Sequence, residues 1–422
     1  GRGRQVGVMQ PEAATSAGLP AIGYAGRADG VRDRFAGKVE ALAVTDLTNV
    51  RWLTGFTGSN GSVAVLPDRL VLVTDGRYRD RAADELAAAG VEAEIVVGFT
   101  QAAQHEAFVA AFAGVTTIGA EAKSLTYARW RTLGAELELV AADGLIEEGR
   151  RTKDPGELAR IAQACGYADA ALAEVAPLLG DRLTEADVRT ELEYRMRRHG
   201  ADGPSYDTIV ASGPDHAARP HHHAGSRTIV DGDTVVIDVG ALVDGYHSDM
   251  TRSFVIGDPT SQQSDLYELL LEIQLTGIAA VGPGVPAREV DAACRSQAIA
   301  SGYGDWFLHS TGHGVGLLIH EDPFESPVSK SDLRVGDVVT VEPGLYRVGF
   351  GGFRIEDLVE VTDDGCRILT ASPKDSPCPP SPPTTRRPAS RWNSTMACSR
   401  SSTSSTSSPA RVVRSCAPSS AT

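Results

Sequence analysis

The stretch that decides the fold covers residues 235–254 and reads VVIDVGALVDGYHSDMTRSF. Its first three residues predict a buried strand that ends at Asp238, after which two glycines break the apolar run. A second extended segment begins at Asp249, and a hairpin-like return of the chain would bring both carboxylates to the same end of a sheet. Two aspartates can also flank an ordinary turn, since Asp is a common turn residue.

A second motif, HSTGHGVGLLIHEDP, covers residues 309–323 and is rich in glycine. Glycine lets the backbone approach a ligand closely and adopt positive φ angles. The stretch also contains His309, His313 and His320. Three histidines beside three glycines indicate a binding loop rather than ordinary packing.

Two further motifs each carry one acidic residue at a strand position. In VVTVEPGLY, residues 338–346, an apolar strand ends at Glu342 and a Pro-Gly pair turns the chain. In GGFRIEDLVEV, residues 351–361, Glu356 interrupts an alternating apolar pattern. An acidic side chain on a buried sheet face is costly unless it is paired or bound to a metal. Each motif is weak alone, but their order along the chain is informative.

Together the motifs supply four carboxylates and one imidazole: Asp238, Asp249, His313, Glu342 and Glu356. This oxygen-rich set suits hard or borderline divalent ions, Mn²⁺ first, with Co²⁺ or Zn²⁺ as alternatives. Two such cations roughly 3.5–4 Å apart can lower the pKa of a shared water and polarise a carbonyl group. The sequence therefore predicts a hydrolase with two divalent metal ions.

On these motifs the chain resembles the pita-bread metallopeptidases, the superfamily of methionine aminopeptidase, aminopeptidase P and prolidase. All five positions that match the family's metal ligands are intact. The resemblance implies an α+β pita-bread catalytic domain at residues 150–370. Helical patterns and short apolar runs in this region are consistent with a mainly antiparallel sheet backed by helices.

The same resemblance implies roles for residues around the metals. His221 follows Pro220 as in the family's Pro-His site, so we prefer it to His222 and His223, which we interpret as exposed loop residues. His320 resembles a histidine that contacts the scissile bond, and His309 resembles another active-site histidine. Further candidates near the metals are Arg354 and Tyr346, and Glu342 is also the candidate acceptor of the water proton.

The region 34–149 alternates strand and helix patterns, which indicates an α/β domain. Within it, NVRWLTGFTGSNGSVAVL and TDGRY resemble the creatinase-like N-terminal domain of aminopeptidase P and prolidase, which methionine aminopeptidases lack. The resemblance therefore implies an Xaa-Pro aminopeptidase acting on peptides with proline in the second position. Xaa-Pro dipeptidase is the alternative. A pita-bread protein that binds peptides without hydrolysis is disfavoured, because such relatives typically lose metal ligands.

Both ends of the chain lack the patterns of packed structure. Residues 1–33 are rich in Gly, Ala and Arg without clear periodicity and predict a flexible extension. Residues 371–422 are rich in Ser, Pro, Thr and Arg, with little apolar surface to bury. Such composition is typical of disorder.

Length and charge limit the remaining possibilities. A chain of 422 residues has room for two domains of common size. Its net charge of −15 argues against nucleic-acid binding, which normally needs a basic face. No apolar run approaches the roughly 20 residues of a membrane span, and the N-terminal stretch lacks the apolar core of a signal peptide. We therefore expect a cytoplasmic protein and, from the resemblance, a homo-oligomer.

Overall fold

The computed structural model describes residues 18–380, and its first part alternates helices with strands. The helices are α1 (Arg27–Phe35), α2 (Leu47–Thr54), α3 (Arg79–Ala89), α4 (Gln101–Ala111), α5 (Tyr127–Gly134) and α6 (Glu147–Arg151). The strands are β1 (Ala41–Val44), β2 (Gly61–Val65), β3 (Leu70–Thr74), β4 (Glu94–Val97), β5 (Ile118–Ala120) and β6 (Leu139–Ala141). The predicted α/β character of this region is therefore seen in the structure.

These six strands form one mixed sheet in the order β4-β3-β2-β1-β5-β6. Strand β2 is antiparallel to both of its neighbours, whereas the outer pairs are parallel. Alternate residues of β1 point to opposite faces, so Leu42 packs in one core with Val31 of α1, and Ala43 in another with Phe108 of α4. Helices therefore cover both faces of the sheet.

The start of this domain differs from the sequence prediction, which made residues 1–33 a flexible extension. Residues 27–33 belong to α1, whose Val31 and Phe35 are buried in the core. Arg27 is 8% exposed and forms a 2.7 Å ion pair with Asp154. Only two large apolar residues mark this short helix, so its sequence shows too little periodicity to predict it. Residues 1–17 lie outside the described part of the chain.

The second part of the structure begins at a long helix. The helices are α7 (Pro155–Val175), α8 (Glu185–His199), α9 (Gly213–His216), α10 (Ser261–Ala280) and α11 (Ala287–Ala300). The strands are β7 (Gly203–Pro204), β8 (Ile209–Ser212), β9 (Thr234–Asp238), β10 (Ala241–Val243), β11 (Tyr246–His247), β12 (Thr251–Val255), β13 (Gly312–Gly314), β14 (Glu321–Glu325), β15 (Val338–Val341), β16 (Gly344–Arg347), β17 (Gly351–Arg354), β18 (Asp357–Thr362) and β19 (Gly365–Ile368).

Every strand pair of this second part, within residues 18–380, is antiparallel. The main groups are β12-β9-β8 and the five-stranded sheet β14-β13-β15-β18-β19. Helices α7 and α8 share a core with β9 and β12, and α10 and α11 share another with β12, β16 and β17. This is the helix-backed antiparallel arrangement that the sequence predicts.

Strand β9 is central because β8 and β12 flank it on both sides. Its apolar residues are buried, and Asp238 stands at its end opposite Thr251 of β12. The chain does not return from β9 to β12 by a single turn, since the small hairpin β10-β11 lies between them. Asp249 nevertheless comes just before β12, so both aspartates reach the same end of the sheet.

The C-terminal boundary also differs from the prediction, which began a disordered tail at residue 371. The Asp169 carboxylate accepts hydrogen bonds from the backbone amides of Ala371 and Ser372, both at 2.8 Å. Lys374 forms an ion pair with Asp357, and Pro377 accepts a backbone hydrogen bond from Val255. These contacts are polar, which explains why the apolar pattern did not reveal them. Residues 381–422 lie outside the described part.

The two parts are joined by buried ion pairs. Arg150 and Lys153 both contact the Glu321 carboxylate, the lysine at 2.8 Å. All three residues are less than 10% exposed. Arg150 also donates to the Asn49 side chain of the first domain at 2.9 Å, so the contact continues into α2. No helix in residues 18–380 has the length and apolar character to cross a membrane.

Candidate metal centre

Five strands, or the residues next to them, bring the predicted ligands to one place. Asp238 closes β9, Asp249 precedes β12, and His313 is the middle residue of β13. Strands β15 and β18 pair with Val341 opposite Asp357, so Glu342 and Glu356 follow as the next facing positions. Register between neighbouring strands therefore fixes which carboxylates meet.

The distances show that these side chains converge. Ligand atoms of Asp249, His313 and Glu356 all lie within 4.8 Å of one another. The His313 Nε2 atom is 3.5 Å from Asp249 Oδ2 and 3.4 Å from Glu342 Oε1. The Tyr206 hydroxyl contacts Asp238 and lies 2.5 Å from Asp249 Oδ1, which brings the fifth side chain into the same cluster. The structure thus brings all five predicted ligands together.

The carboxylates of this cluster are crowded and shielded from water. Burial, together with the charges of Asp238 and Glu342, raises the pKa of Asp249 well above its ordinary value. Burial and the charge of Asp249 raise the pKa of Glu356 in the same way. Burial and Asp238 also raise the pKa of Glu342, although Arg354 opposes the shift. Repulsion among buried carboxylates is relieved by protonation or by bound cations, and this donor set fits divalent metal ions.

His313 is held in the tautomer that a metal ligand needs. Its Nδ1 atom lies 3.1 Å from the carbonyl oxygen of Gly314, so that nitrogen carries the proton and donates it. The Nε2 lone pair then faces the oxygens of Asp249 and Glu342. Burial and the neighbouring His320 lower the pKa of His313 to about 3, so the ring is neutral. The Nε2 lone pair and these carboxylate oxygens form a donor set that suits a divalent cation.

The glycines beside His313 serve close packing rather than unusual backbone angles. A Cβ atom on Gly312 would lie 2.1 Å from the Thr340 carbonyl oxygen, and one on Gly314 would lie 2.6 Å from that of Asp322. Neither glycine has a positive φ, contrary to one reason that the sequence suggested for them. They let β13 lie close to its neighbours, which places His313 among the carboxylates.

A chain of hydrogen bonds orients one side of the centre. Arg354 pairs with Asp238 at 2.5 Å and donates to the Tyr346 hydroxyl at 2.9 Å. Because an arginine only donates, the Tyr346 oxygen accepts this bond and its own proton goes to His309 Nε2, 3.0 Å away. Nδ1 of His309 then donates to Ser310 O at 2.8 Å. Burial and the Arg354 charge lower the pKa of His309 to about 4, so this histidine is neutral too.

The two remaining histidine candidates lie at different places. The His320 ring meets His313 edge to face, with centroids 4.3 Å apart, and is exposed. His221 is exposed and packs on His223; no hydrogen bond or ring contact within residues 18–380 joins it to the five ligands. Its neighbour Pro220 does accept a 3.0 Å hydrogen bond from Arg354. His320 therefore lies against the proposed metal ligand His313. His221 follows Pro220, whose carbonyl oxygen accepts the hydrogen bond from Arg354.

Sequence reasoning missed several residues that hold the ligands. Tyr206 bridges two aspartates, the Thr251 hydroxyl donates to Glu356 at 2.7 Å, and the Thr340 hydroxyl lies 3.3 Å from Glu342. The two threonines lie inside motifs quoted above, so their positions next to predicted ligands could have indicated their role. Tyr206 precedes β8, away from every motif, and a single tyrosine has no spacing to recognise.

Comparison with known proteins identifies the family. A model of the creatinase/prolidase N-terminal domain matches residues 29–152, and a model of metallopeptidase family M24 matches residues 159–363. An uncharacterized peptidase of Bacillus subtilis, YqhT, is 37% identical over 340 residues, which cover 80% of this chain and 95% of that protein. The chain belongs to metallopeptidase family M24. The resemblance seen in the sequence is confirmed, and this M24 peptidase is a metal-dependent enzyme.

Solved structures extend the likeness to the fold. An Xaa-Pro dipeptidase from Bacillus anthracis superposes on the M24 peptidase with a TM-score of 0.79 at 34% identity, covering 84% of this chain and 99% of that one. An X-Pro aminopeptidase from Thermotoga maritima gives 0.75 at 31% identity, with coverage of 82% and 98%. The predicted creatinase-like N-terminal domain and pita-bread catalytic domain are therefore both confirmed.

Proposed function

We propose that the M24 peptidase hydrolyses the peptide bond between an N-terminal residue and a following proline. The observation that carries this proposal is the convergence of five donor side chains in one cluster, which would hold two divalent cations: Asp238, Asp249, His313, Glu342 and Glu356. Mn²⁺ is the first candidate because four of the five donors are carboxylates, with Co²⁺ or Zn²⁺ as alternatives. When bound, such ions lower the pKa of water and polarise a carbonyl group.

Glu342 is the side chain best placed to accept a proton from the attacking water. It is 17% exposed, unlike the buried Glu356, so it borders the open side of the cluster. The exposed ring of His320 then supplies a hydrogen bond to the scissile carbonyl or to the leaving nitrogen.

Arg354, Tyr346 and His309 position the ligands in this proposal. Arg354 fixes Asp238, and the hydrogen bonds through Tyr346 to His309 hold the guanidinium in place. His221 lies one residue after the carbonyl that supports Arg354. We propose that His221 contacts substrate from this loop, as the family resemblance implies.

Proline gives a physical reason for a dedicated enzyme. A bond before proline has a tertiary amide nitrogen without a proton, so peptidases that bind that N–H lose a contact. The sequence favours an Xaa-Pro aminopeptidase. Xaa-Pro dipeptidase is the second candidate, supported by the similarity to the Bacillus anthracis enzyme of that name. The homo-oligomeric state and the cytoplasmic location stay predictions from the sequence.

One assay separates these possibilities. Metal-stripped protein receives Mn²⁺, Co²⁺ or Zn²⁺ and is offered Ala-Pro, Ala-Pro-Ala or Met-Ala-Ala, with release of the first amino acid measured. Cleavage of Ala-Pro-Ala supports the aminopeptidase, and cleavage of Ala-Pro alone supports the dipeptidase. Cleavage of Met-Ala-Ala alone would overturn the proline specificity.

A matched pair of variants links turnover to the centre. Asp249→Asn removes a buried donor, and we expect it to abolish turnover with every metal. Asp258→Asn makes the same change at an exposed position after β12 and should behave like the unaltered protein. Full activity of Asp249→Asn would contradict the proposed metal centre.

A further inference from the structure

A second cluster of metal-binding side chains lies at the start of α8. Glu185 is fully buried, and its two carboxylate oxygens face His216 Nδ1 at 2.9 Å and His222 Nε2 at 3.2 Å. The two imidazole rings are stacked, with centroids 4.1 Å apart and planes tilted by 31°. Ligand atoms of all three residues lie within 4.8 Å of one another. None of these residues belongs to the metal centre described above.

The spacing of these atoms is close to that of a metal site. Zinc bonds of about 2.0–2.1 Å at a tetrahedral angle place two ligand atoms roughly 3.3 Å apart. The two nitrogen–oxygen separations in the cluster, 2.9 and 3.2 Å, are shorter by only a few tenths of an ångström. Small side-chain rotations would therefore admit an ion where the hydrogen-bonding protons now lie.

The charge of the cluster also suits a cation. Burial acts to raise the pKa of Glu185, but hydrogen bonds from Ser212, His216 and other groups outweigh it, so its pKa is lowered and the carboxylate is ionised. Within residues 18–380, its only ion-pair partners are the two histidines. Arg227 is close enough to interact, but Asp233 binds its guanidinium at 2.6 and 2.8 Å and neutralises it.

The cluster is preorganised and open to solvent. The Ser212 amide and hydroxyl donate to Glu185 Oε1 at 2.9 and 2.7 Å, and the Gly225 amide donates to Oε2 at 3.1 Å. The carboxylate is thus fixed in orientation. The histidine side chains are 31% and 14% exposed, which leaves a route for an ion and for water as a further ligand.

We propose that Glu185, His216 and His222 form a separate, structural metal site for one late first-row divalent ion, Zn²⁺ in the first instance. Two imidazoles and one carboxylate are a recurrent ligand set for such ions. The ion would tie the loop of residues 217–224 to α8. The same loop contains Pro220, whose carbonyl oxygen accepts a hydrogen bond from Arg354, so the ion would also stabilise a support of the proposed catalytic centre.

The test uses metal-stripped full-length protein titrated with Zn²⁺ alone. Calorimetry gives the number and affinity of bound ions, and thermal melting gives the stabilisation that each ion provides. The decisive variant is H216N/H222Q, because Asn and Gln amides can keep the hydrogen bonds to Glu185 but are poor zinc ligands. The control is His199→Asn, which alters a single histidine–carboxylate pair with Glu174 at the other end of α8.

We expect the unaltered protein and His199→Asn to bind one Zn²⁺ more than H216N/H222Q, and to melt at a higher temperature with Zn²⁺ than that variant does. The same difference should appear in the Asp249→Asn background, which separates this site from the catalytic centre. Equal stoichiometry and affinity in H216N/H222Q would overturn the proposal. If H216N/H222Q melts like the unaltered protein without metal, a folding defect cannot account for the lost ion.

Discussion

Tyr206 shows how one uncharged side chain can organise a cluster of acids. Its hydroxyl contacts Asp238 and Asp249, two carboxylates that would otherwise repel each other. Burial, and then the charges of Asp238 and Asp249, raise the pKa of Tyr206 well above its ordinary value, so the hydroxyl keeps its proton. That proton can be donated to either carboxylate. The tyrosine therefore fixes the spacing of two proposed metal ligands.

We predict that Tyr206→Phe weakens both metal binding and catalysis. Loss of a group that orients a ligand typically costs about 10–100-fold in metal affinity or activity. Titration of stripped protein with Mn²⁺ and kcat/KM for the proline substrate are the measurements. Tyr194→Phe removes a hydroxyl from a tyrosine that is 58% exposed and should leave both values unchanged. Unchanged values in Tyr206→Phe would rule out this positioning role.

Glu325 is a buried acid with a different character. It is 0% exposed, and neither carboxylate oxygen has a hydrogen-bond partner within the described residues. Burial, followed by the charges of Glu342, Asp291 and Asp337, raises its pKa well above the ordinary 4.5. An acid whose pKa is raised on folding destabilises the folded state as the pH rises above its unfolded value. Glu325 therefore opposes folding at neutral pH.

We predict that Glu325→Gln stabilises the metal-free protein in a pH-dependent way. The thermal midpoints of the variant and the unaltered protein should be similar below pH 4.5, the ordinary pKa, and should diverge in favour of the variant as the pH rises. Melting curves across this range are the measurement. Glu268→Gln, at an exposed position on α10, serves as the control and should show no such trend. A constant difference at every pH would contradict the assignment.

The predicted ligands were recognisable because each stands in or beside a strand, inside a motif of strand and turn residues. Asp238 and Glu342 follow apolar runs, and His313 lies among glycines. Tyr206 and Glu325 were not recognisable, because their importance depends on distances across the fold. His222 was interpreted as an ordinary loop histidine, and only the structure shows its contact with Glu185. Local sequence patterns therefore identify the proposed metal ligands more readily than they identify the residues that orient those ligands.

Strand β13 depends on its glycines for its place in the five-stranded sheet. A Cβ atom at Gly312 would lie 2.1 Å from a backbone oxygen of β15, which cannot rotate away as a side chain could. We predict that Gly312→Ala destabilises the protein by about 1–3 kcal/mol, the usual cost of overpacking. It should also displace His313 and lower activity. Chemical denaturation and the peptide assay are the measurements.

The matched change is Gly166→Ala in the middle of α7. Apart from the backbone of its own helix and its chain neighbours, no atom lies within 4 Å of the Cβ position there, and alanine favours the helix. We expect a gain of roughly 0.5–1 kcal/mol without a change in activity. Losses of similar size in both variants would show that steric contact at β13 is not the cause.

Secondary structure was predictable wherever periodicity extends over several turns or is bounded by clear signals. Helix α8, Glu185–His199, begins with such a signal, because Thr184 and Asp187 form a capping box. The buried strand predicted to end at Asp238 is observed as β9, Thr234–Asp238. Helix α1 was not predicted because only two of its residues are large and apolar. The order in residues 371–377 was not predicted because polar contacts hold this segment.

The buried carboxylate of Glu321 joins the two domains through its ion pairs with Arg150 and Lys153. Burial acts to raise the pKa of Glu321, but the charges of Lys153 and Arg150 outweigh it and lower the pKa below its ordinary value. Stability from such a group is present above the unfolded pKa and is lost as the pH falls through the folded one. His320, which lies beside the proposed metal ligand His313, is the residue before Glu321 in the chain.

We predict that Glu321→Gln destabilises the protein strongly, by roughly 3–5 kcal/mol, because it leaves two buried cations without a carboxylate. Urea unfolding at neutral pH is the measurement, and the deficit should shrink in acid. Glu148→Gln is the control, since Glu148 pairs with Arg334 across the same domains but both side chains are at least 41% exposed. That change should cost at most about 1 kcal/mol. Equal losses would argue against a role for burial.

The segment after β19 has a practical consequence for anyone who shortens this protein. Arg252 of β12 donates to the carbonyl oxygen of Ser372 through two nitrogens, at 2.9 and 2.7 Å, and its neighbour Thr251 donates to Glu356. A cut at residue 370 would remove Ser372, whose carbonyl oxygen binds Arg252 of β12, next to the Thr251 that supports Glu356. The shortened enzyme should then lose its metal more readily.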